Sequence, residues 1–290
     1  MNETQEQTRT LHLRGRTLEH ASHCLLMGIL NVTPDSFSDG GAFPNHDAAV
    51  EHGLEMVHAG ADIIDIGGES TRPGALEISE ADELDRVLPV IAALRARSDV
   101  PISVDTRHAA VAAAAIRAGA DIINDVSALR HDPRMAGVAA KHGVPVVLMH
   151  MQGTPTSMQQ HPVYDNIIEE VILFFEERIR FCSDAGIDQM ILDPGIGFGK
   201  TVEHNLQLLQ GLRRFRRFGY PVLVGTSRKS FIGVLTGAAV QDRLSGSIAS
   251  NVLAYLNGAQ ILRVHDVHAI RGAIDVAAAI THGEAPRHAI

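Results

Sequence analysis

Short apolar runs rich in β-branched residues recur along the chain, each preceded by an amphipathic stretch and a turn that usually contains glycine. HAGADIIDIGG and KHGVPVVLMH are two examples of this unit. An apolar run bounded by polar turns predicts a buried strand, and the amphipathic stretches predict helices. Eight runs fit the pattern, and we predict that they end at Asn31, Gly68, Asp105, Val126, His150, Asp193, Gly225 and Asp266.

The predicted strands alternate with segments long enough for helices, which favours a parallel α/β sheet covered on both faces. Eight such units in 290 residues predict a (β/α)8 TIM barrel. The segment at 11–20, LHLRGRTLEH, is predicted to form a hairpin that closes the amino-terminal end of the barrel. An open doubly wound sheet is the alternative. Because no linker interrupts the pattern, we expect a flexible polar tail at 1–10 and a single barrel domain over 11–283.

Composition and charge narrow the class of protein. Hydrophobic residues make up 45% of the chain, and 25 basic against 34 acidic residues give a net charge of −9, which is typical of a folded globular protein. The acidic balance and the lack of tryptophan disfavour nucleic-acid binding, so we expect small-molecule substrates. Cys24 and Cys182 lie far apart in the sequence with no CxxC spacing, so the sequence suggests neither a disulfide framework nor a zinc knuckle. Because the chain has neither a signal-peptide core nor an apolar run of the roughly 20 residues that a membrane span needs, we expect a cytoplasmic protein without membrane contact.

Polar residues stand at or near the carboxyl ends of the predicted strands, namely Asn31, Asp105, Asn124, His150, Asp193, Arg263 and His265. In a TIM barrel these ends converge on one mouth, where active sites are built. Carboxylates beside a carboxamide suit a heterocycle that offers N–H donors and acceptors together. Capping of the following helix is the alternative role of Asp105. The sixteen histidines contain no HExxH pattern, so we expect no histidine-bound catalytic zinc, whereas the oxygen of Asn31 suits Mg²⁺.

Two segments rich in glycine or cations bear on phosphate binding. The segment 193–201, DPGIGFGKT, nearly matches the phosphate loop GxxxxGK[ST], but Pro194 replaces the first glycine and has no N–H to offer. After the seventh strand, where barrels frequently bind phosphate, come Ser227, Arg228, Lys229 and Ser230. A salt bridge is the alternative role of Arg228. The run RRFRR at 213–217 is predicted to be the solvated face of a helix.

Eight segments follow the strand ends in order: NVTPDSFSDGG, GGESTRPG, SVDT, IINDV, LMHMQGTP, DPGIGFGK, SRKS and RVHD. Together, from about residue 25 to 280, they resemble the dihydropteroate synthases. A single segment such as SVDT is weak evidence for the family, whereas eight segments in order at a spacing that fits a barrel are specific evidence for it. The resemblance implies a transferase that joins 6-hydroxymethyl-7,8-dihydropterin diphosphate to 4-aminobenzoate, giving 7,8-dihydropteroate and diphosphate in folate biosynthesis. It also implies competition by sulfonamides.

The resemblance implies roles for individual residues. The catalytic set would be Asp35, Phe37, Asp39, Arg72 and Lys229. The pterin would be bound by Asp105, Asn124, Met149, Asp193, Gly197, Phe198, Lys229 and Arg263, with Arg263 stacking along the ring. The diphosphate would contact Asn31, Thr71, Arg263 and His265, and aminobenzoate would contact Thr71, Arg72, Pro73, Phe198 and Ser230. Mg²⁺ would bind at Asn31 as cofactor, and the later barrel helices would form a homodimer.

The chemistry of this reaction predicts its mechanism. The aromatic amine is a poor neutral nucleophile, so the difficult step is breaking the bond between the pterin methylene and the diphosphate. Asp105 and Asp193 would stabilise the positive charge that develops on the methylene, while Mg²⁺, Arg263 and His265 would stabilise the departing diphosphate. We therefore expect an SN1-like displacement without a protein nucleophile. The alternatives are a pterin- or folate-dependent methyltransferase, a phosphate-loop nucleotide hydrolase and a non-catalytic pterin-binding protein.

Overall fold

The structure is a computed structural model that describes residues 10–19, 23–33, 45–70, 77–154, 158–159 and 161–283. Its strands are β1 (Thr10–Leu13), β2 (Arg16–Glu19), β3 (Leu25–Asn31), β4 (Ile63–Gly67), β5 (Ile102–Asp105), β6 (Ile122–Asp125), β7 (Val146–Met149), β8 (Met190–Asp193), β9 (Leu223–Val224) and β10 (Ile261–Val264). Its α-helices are α1 (His46–His58), α2 (Glu80–Arg97), α3 (Ala109–Ala118), α4 (Met135–His142), α5 (Ile167–Asp184), α6 (Val202–Gln210), α7 (Ser230–Thr236), α8 (Leu244–Leu256) and α9 (Val267–His282). Two 3₁₀ helices occupy Leu212–Phe218 and Val240–Asp242.

Strands β3 to β10 form one parallel sheet whose spatial order is β8-β7-β6-β5-β4-β3-β10-β9. A parallel bridge between Leu192 and Val222 joins the two ends of this sheet, and the Leu192 N–H donates to the Pro221 carbonyl oxygen at 2.9 Å. The strands therefore follow one another around a closed ring in chain order. The TIM-barrel prediction is confirmed, and the alternative of a doubly wound sheet is wrong because such a sheet stays open and reverses its strand order at a switch point.

The side chains that point into the barrel change from apolar to polar along the strands. The apolar layer consists of Leu25, Met27, Ile63, Ile122, Val147, Ile191, Leu223 and Ile261. Alternate residues of a strand share a face, so the inward position two residues further along faces the mouth. Four of these positions hold Asp65, Asn124, Asp193 and Arg263. The apolar layer is a packed floor, and the polar layer above it faces the mouth.

The hairpin of β1 and β2 closes the amino-terminal end, as predicted for 11–20. Its strands pair antiparallel from Thr10 opposite Glu19 to Leu13 opposite Arg16. Leu11 and Leu13 join the apolar layer inside the barrel. The backbone of His12 exchanges two hydrogen bonds with the side-chain amide of Gln189, at 2.6 and 2.9 Å, just before β8. The end of the barrel that the hairpin leaves open is therefore the opposite, carboxyl end.

Local sequence signals set several element boundaries. Helix α2 begins after Ser79, whose hydroxyl accepts the Asp82 N–H at 3.1 Å as an N-cap. Strand β6 ends one residue before the predicted Val126 because the Asp125 carboxylate accepts the N–H of Ser127 at 2.7 Å and turns the chain. Four other strands end one or two residues before the predicted Gly68, His150, Gly225 and Asp266.

The helices cover the outside of the barrel and bury their apolar faces against it. The run RRFRR lies in the 3₁₀ helix Leu212–Phe218 with Phe215 buried and its arginines exposed, which confirms the predicted solvated face. Among the helices of the described ranges, none is long and apolar enough to cross a membrane.

Candidate active site

One pocket opens at the carboxyl ends of the barrel strands. It is lined by Ile29, Asp105, Asn124, Val126, Met149, Asp193, Phe198, Gly225, Ser227, Lys229, Arg263 and His265. The closed parallel ring brings these residues together, since every strand delivers its last inward side chain to the same rim. Eight of the sequence-predicted site residues line this pocket, including the widely separated Asp105, Asp193 and Arg263.

A buried network of charges crosses the pocket floor. The Arg263 guanidinium donates to Asp65 Oδ2 at 2.6 Å and to Asp105 Oδ2 at 2.8 Å. The Asn124 amide donates to the two oxygens of Asp65 at 3.3 and 3.1 Å. Asp65 has no exposed surface, and Asp105 is 8% exposed. Two carboxylates thus share one guanidinium, a geometry that fixes all four side chains.

Asp65 belongs to this site and was not among the predicted residues. It lies inside the apolar run of β4, which was interpreted only as a buried strand. The period of two along Ile63, Asp65 and Gly67 is the signal that identifies it, because it places Asp65 inward above the apolar layer. A carboxylate at such a position needs a buried cation, and Arg263 supplies it.

The charge network controls the protonation of Asp105. Burial raises the pKa of Asp105 to about 8, the positive charge of Arg263 opposes that rise, and the negative charge of Asp65 adds to it. A carboxyl group with this pKa is mostly protonated at pH 7 and becomes ionised as the pH rises past about 8. Asp105 also pairs in register with Asn124 on the neighbouring strand, and its side chain accepts from Arg263 instead of capping α3. The capping alternative is therefore wrong.

A second pair of opposite charges lies across the pocket. Asp193 accepts the Gly195 N–H at 2.7 Å, and burial raises the pKa of Asp193 while the charge of Lys229 opposes the rise. Burial lowers the pKa of Lys229 to about 8, and Asp193 opposes that change. The Lys229 ammonium donates to the Ile196 carbonyl oxygen. It also lies 4.6 Å from the centre of the Phe198 ring, a cation–π contact.

A buried lysine, Lys200, stabilises the turn that carries Phe198 through hydrogen bonds to backbone carbonyl oxygens. Lys200 is 4% exposed, and its ammonium donates to the carbonyl oxygens of Phe198 at 2.8 Å and His150 at 3.1 Å. Burial lowers the pKa of Lys200 to about 7, and burial together with the Lys200 charge lowers that of His150 to about 2. In a phosphate loop this lysine would reach a nucleotide, whereas here it binds carbonyls inside the protein. The phosphate-loop alternative is not supported by this geometry.

Glycine is required at the start of the same turn. Gly195 has φ +69°, and a Cβ there would lie 1.9 Å from the His150 carbonyl oxygen. Gly197 has φ +83°, and its N–H donates to the Asn205 side-chain oxygen at 2.7 Å. A Cβ at Gly197 would lie 2.9 Å from Lys229 Cδ, so this predicted pterin contact allows the lysine to pass close to the turn.

The edge of the pocket at the ends of β9 and β10, called here the β9–β10 edge, carries Ser227 and His265. The backbone N–H of His265 donates to Ser227 Oγ at 3.2 Å, and His265 Nδ1 lies 3.1 Å from the same oxygen. Arg228 forms an ion pair with Asp266, with Nε to Oδ2 at 3.0 Å. The salt-bridging alternative for Arg228 is therefore confirmed. Ser230 is exposed at the start of α7 and does not line the pocket.

The remaining predicted residues fall into two groups. Asn31 ends β3 and shares the inward face of Ile29, which lines the pocket. Six predicted residues lie outside the described ranges, namely Asp35, Phe37, Asp39, Thr71, Arg72 and Pro73. The contacts that the resemblance implies for them stay predictions.

The barrel and its mouth define a class of protein, the pterin-binding barrel enzymes. The family profile with the description "Pterin binding enzyme" matches residues 27–265. The matched segment begins in β3 and ends at His265, so it includes most of β3, the other seven barrel strands and all the residues that line the pocket.

Comparison with individual proteins narrows the class to one family. The dihydropteroate synthase of Escherichia coli strain K12 is 51% identical over 259 residues, which cover 89% of this chain and 91% of the relative. The Yersinia pestis dihydropteroate synthase, solved with a sulfonamide drug complex, is 50% identical with a TM-score of 0.90 and covers 94% of this chain and 99% of its own. The Xanthomonas albilineans enzyme in complex with 7,8-dihydropteroate is 46% identical with a TM-score of 0.85. The match covers 94% of this chain and 98% of the Xanthomonas chain. The chain belongs to the dihydropteroate synthases, which are transferases of folate biosynthesis.

Proposed function

We propose that this chain condenses 6-hydroxymethyl-7,8-dihydropterin diphosphate with 4-aminobenzoate to give 7,8-dihydropteroate and diphosphate, by an SN1-like displacement. The observation that carries the proposal is the convergence of Asp105, Asn124, Asp193, Lys229 and Arg263 on one pocket. Relatives that cover the same barrel bear the name of this activity, and one of them was solved with the product 7,8-dihydropteroate.

Recognition of the pterin follows from the donor and acceptor groups of the pocket. Asp193 accepts paired N–H bonds from the amidine-like edge of the ring, because a carboxylate is an acceptor-only group with two oxygens. Asn124 provides both a donor and an acceptor, and Lys229 donates to a ring acceptor. Val126 and Met149 give the flat ring apolar contacts. Burial makes these polar contacts selective, since a ligand that leaves a buried partner unpaired loses affinity.

The departing diphosphate is stabilised at the β9–β10 edge. His265 and Ser227 lie together there, and Arg263, which lines the same pocket, donates to Asp105. Asn31 ends β3, and a single neutral oxygen ligand fits Mg²⁺, which keeps several waters and binds beside substrate phosphates. A Mg²⁺ ion held at Asn31 would supply positive charge to the diphosphate oxygens.

Charge separation explains why bond breaking can precede amine attack. On this proposal, the ionised forms of Asp105 and Asp193 stabilise the ring that becomes positive, while Arg263 and His265 stabilise the group that leaves as an anion. Fixed charges of this kind stabilise a transition state without reorganisation. The pterin methylene is then captured by the neutral amine of 4-aminobenzoate, which loses its proton after the new C–N bond forms.

The aminobenzoate subsite lies, on this proposal, beside the Phe198 ring. Phe198 is half-buried at the pocket wall, where its position is fixed by Lys200. Ser230 lies at the adjacent start of α7. Thr71, Arg72 and Pro73 complete the subsite on the family resemblance, and Asp35, Phe37 and Asp39 complete the catalytic set. Sulfonamides would compete for this subsite.

The direct test is incubation of the purified protein with the pterin diphosphate, Mg²⁺ and 4-aminobenzoate, with product measured by mass spectrometry. We expect 7,8-dihydropteroate and an equal amount of diphosphate. Omission of Mg²⁺ is the control for the cofactor. Absence of coupled product from folded protein would contradict the proposed reaction.

A second experiment separates the SN1-like mechanism from the reaction itself. Crystals soaked with the pterin diphosphate and Mg²⁺, but without the amine, are expected to contain cleaved substrate. Intact substrate in those crystals, from a preparation that makes 7,8-dihydropteroate when the amine is present, would contradict the SN1-like step and leave the overall reaction standing.

We also propose a homodimer through the later helices. Helices α7 to α9 expose several large apolar side chains, including Val234, Leu253, Val276 and Ile280, which are 58–78% exposed. Large apolar side chains exposed together on a surface are typical of a protein contact. A molar mass near twice 31.2 kDa by light scattering is the expected result, and a monomer mass at micromolar concentration would oppose it.

A further inference from the structure

A cluster of two histidines and one glutamate lies outside the pocket just described. Glu77, His108 and His131 each offer one potential metal-ligand atom, and these three atoms all lie within 4.8 Å of one another. His131 Nε2 is 4.0 Å from Glu77 Oε1, and the two imidazole rings meet edge to face with their centres 5.3 Å apart. The sequence spacing of these residues matches no common zinc motif, so only the fold reveals the cluster.

Three different connections of the barrel bring the cluster together. Glu77 precedes α2, His108 lies between β5 and α3, and His131 lies between β6 and α4. All three connections follow the carboxyl ends of neighbouring strands, so they share one side of the mouth rim. None of the three residues lines the substrate pocket. The cluster is therefore a separate feature of the rim.

A buried carboxylate orients the innermost histidine. His108 is 9% exposed, and its Nδ1 lies 2.7 Å from Oε2 of Glu83, which has no exposed surface. When Nδ1 donates its hydrogen to this carboxylate, Nε2 carries the lone pair that a metal needs. A histidine that binds a metal almost always has such a partner on its other nitrogen, which fixes the tautomer and the ring orientation. The Glu83–His108 contact thus reproduces an arrangement typical of metal sites.

The charges around the cluster permit Glu77 to change partner. Arg107 donates to Glu77 Oε1 at 3.0 Å, but it also donates to the two oxygens of Glu69 at 3.0 and 2.9 Å. If Glu77 turns to a metal, Arg107 keeps its buried partner. The Glu77 side chain is 61% exposed and that of His131 is 36% exposed, so both can move the short distance that coordination requires.

We propose that Glu77, His108 and His131 form a binding site for a divalent transition-metal ion of the zinc class, with water as the remaining ligand. Two imidazole nitrogens and one carboxylate are a ligand set that zinc accepts in sites that keep an open position for water. Mg²⁺ prefers oxygen ligands in an octahedral arrangement, so this site is chemically distinct from the one proposed at Asn31. The bound ion would cross-link three connections on the rim.

Metal binding can be measured on untagged protein that has been stripped with a chelator and dialysed. Co²⁺ replaces zinc as a spectroscopic probe, and titration should give visible absorption that saturates at one ion per chain, with zinc displacing the cobalt. We expect excess Mg²⁺ to leave the absorption unchanged. Because the ion binds the folded state, a saturating concentration of zinc should also raise the melting temperature.

Variants assign the signal to these residues. We expect His131→Ala to lower the affinity for zinc at least tenfold, and Glu83→Gln to lower it by about 10- to 100-fold through the orientation of His108. His142→Ala, which removes a partly exposed histidine at the end of α4, should bind zinc as the unmodified protein does. His131 is partly exposed, so its variant should melt at the same temperature as the unmodified protein without metal.

Two results would overturn the proposal. One is the lack of saturable Co²⁺ absorption in the unmodified protein. The other is equal affinity in the unmodified protein and in a folded His131→Ala variant, which would place the metal elsewhere. Neither result bears on the synthase reaction, because the assay contains no substrate.

Discussion

Replacement of Asp105 by asparagine should make the protein more stable at neutral pH while it removes a pterin contact. The pKa of Asp105 is raised by burial to about 8, so the folded protein keeps a proton on this group that the unfolded chain has already released. Stability from this group is therefore present at low pH and is lost as the pH rises from about 4 to about 8. Asparagine fills the same space, still accepts the bond from Arg263 and has no proton to lose.

The magnitude follows from the linkage between protonation and folding. Between the pKa of the unfolded chain and that of the folded protein, each rise of one pH unit lowers the free energy of unfolding by about 1.4 kcal/mol. We compare the free energy of unfolding of Asp105→Asn with that of the unmodified protein at pH 5 and at pH 7. The variant should gain about 3 kcal/mol relative to the unmodified protein between these two pH values. Urea unfolding followed by circular dichroism at both pH values, with linear extrapolation, measures this difference.

The matched control is Asp188→Asn, a change at an exposed aspartate ahead of β8. Its difference from the unmodified protein should stay within about 0.5 kcal/mol at both pH values, as is usual for surface substitutions. If the difference for Asp105→Asn is equally constant with pH, Asp105 is not protonated in the folded state at these pH values. The inferred balance between burial, Arg263 and Asp65 would then be wrong.

Three further changes test other parts of the structure. Asp193→Ala should weaken pterin binding by about 2–4 kcal/mol in calorimetry, because buried ligand donors lose their partner, and unchanged affinity would contradict its assigned role. Arg95→Met should destabilise the protein by about 3–5 kcal/mol in urea unfolding, because it leaves Asp121, 3% exposed, without its 2.5 Å partner; a loss below about 1 kcal/mol would show that the pair is solvated. Gly195→Ala should lower both the melting temperature and the pterin affinity, since the new Cβ would meet the His150 carbonyl oxygen at 1.9 Å. A normal melting curve for this last variant would mean that the turn has room to move.

The sequence was sufficient to predict the barrel because each unit repeats the same local signals. A polar turn, a β-branched run and a polar residue at its end identify Asp105 and Asp193 without any knowledge of distant contacts. The closed ring then brings these ends to one rim, whatever their separation in the chain. Strand ends differ by a residue or two where a side chain such as that of Asp125 turns the backbone early.

Residues whose role depends on a distant partner could not be predicted in the same way. The function of Lys200 follows from the carbonyl oxygen of His150, 50 residues away, and the failed phosphate-loop pattern around Lys200 gives no indication of this contact. Arg228 and Arg263 both occur in cationic segments near strand ends, yet Arg228 pairs with Asp266 at the surface while Arg263 reaches buried carboxylates. Only the three-dimensional position of each acceptor separates these roles.

The shared guanidinium links the two halves of the proposed reaction. Arg263 contacts Asp65 and Asp105 on the side of the pocket that would hold the pterin, and it lines the same pocket as His265 at the β9–β10 edge. A pterin that donates hydrogen bonds to Asp105 competes with Arg263 for the oxygen atoms of that side chain. The guanidinium then has only Asp65 as a full partner, and the diphosphate is the anion that can occupy its remaining donors. Binding of the ring at Asp105 would therefore free part of the Arg263 guanidinium for the diphosphate. Asp65 would still hold the guanidinium in place, so its positive charge would stay beside the leaving group.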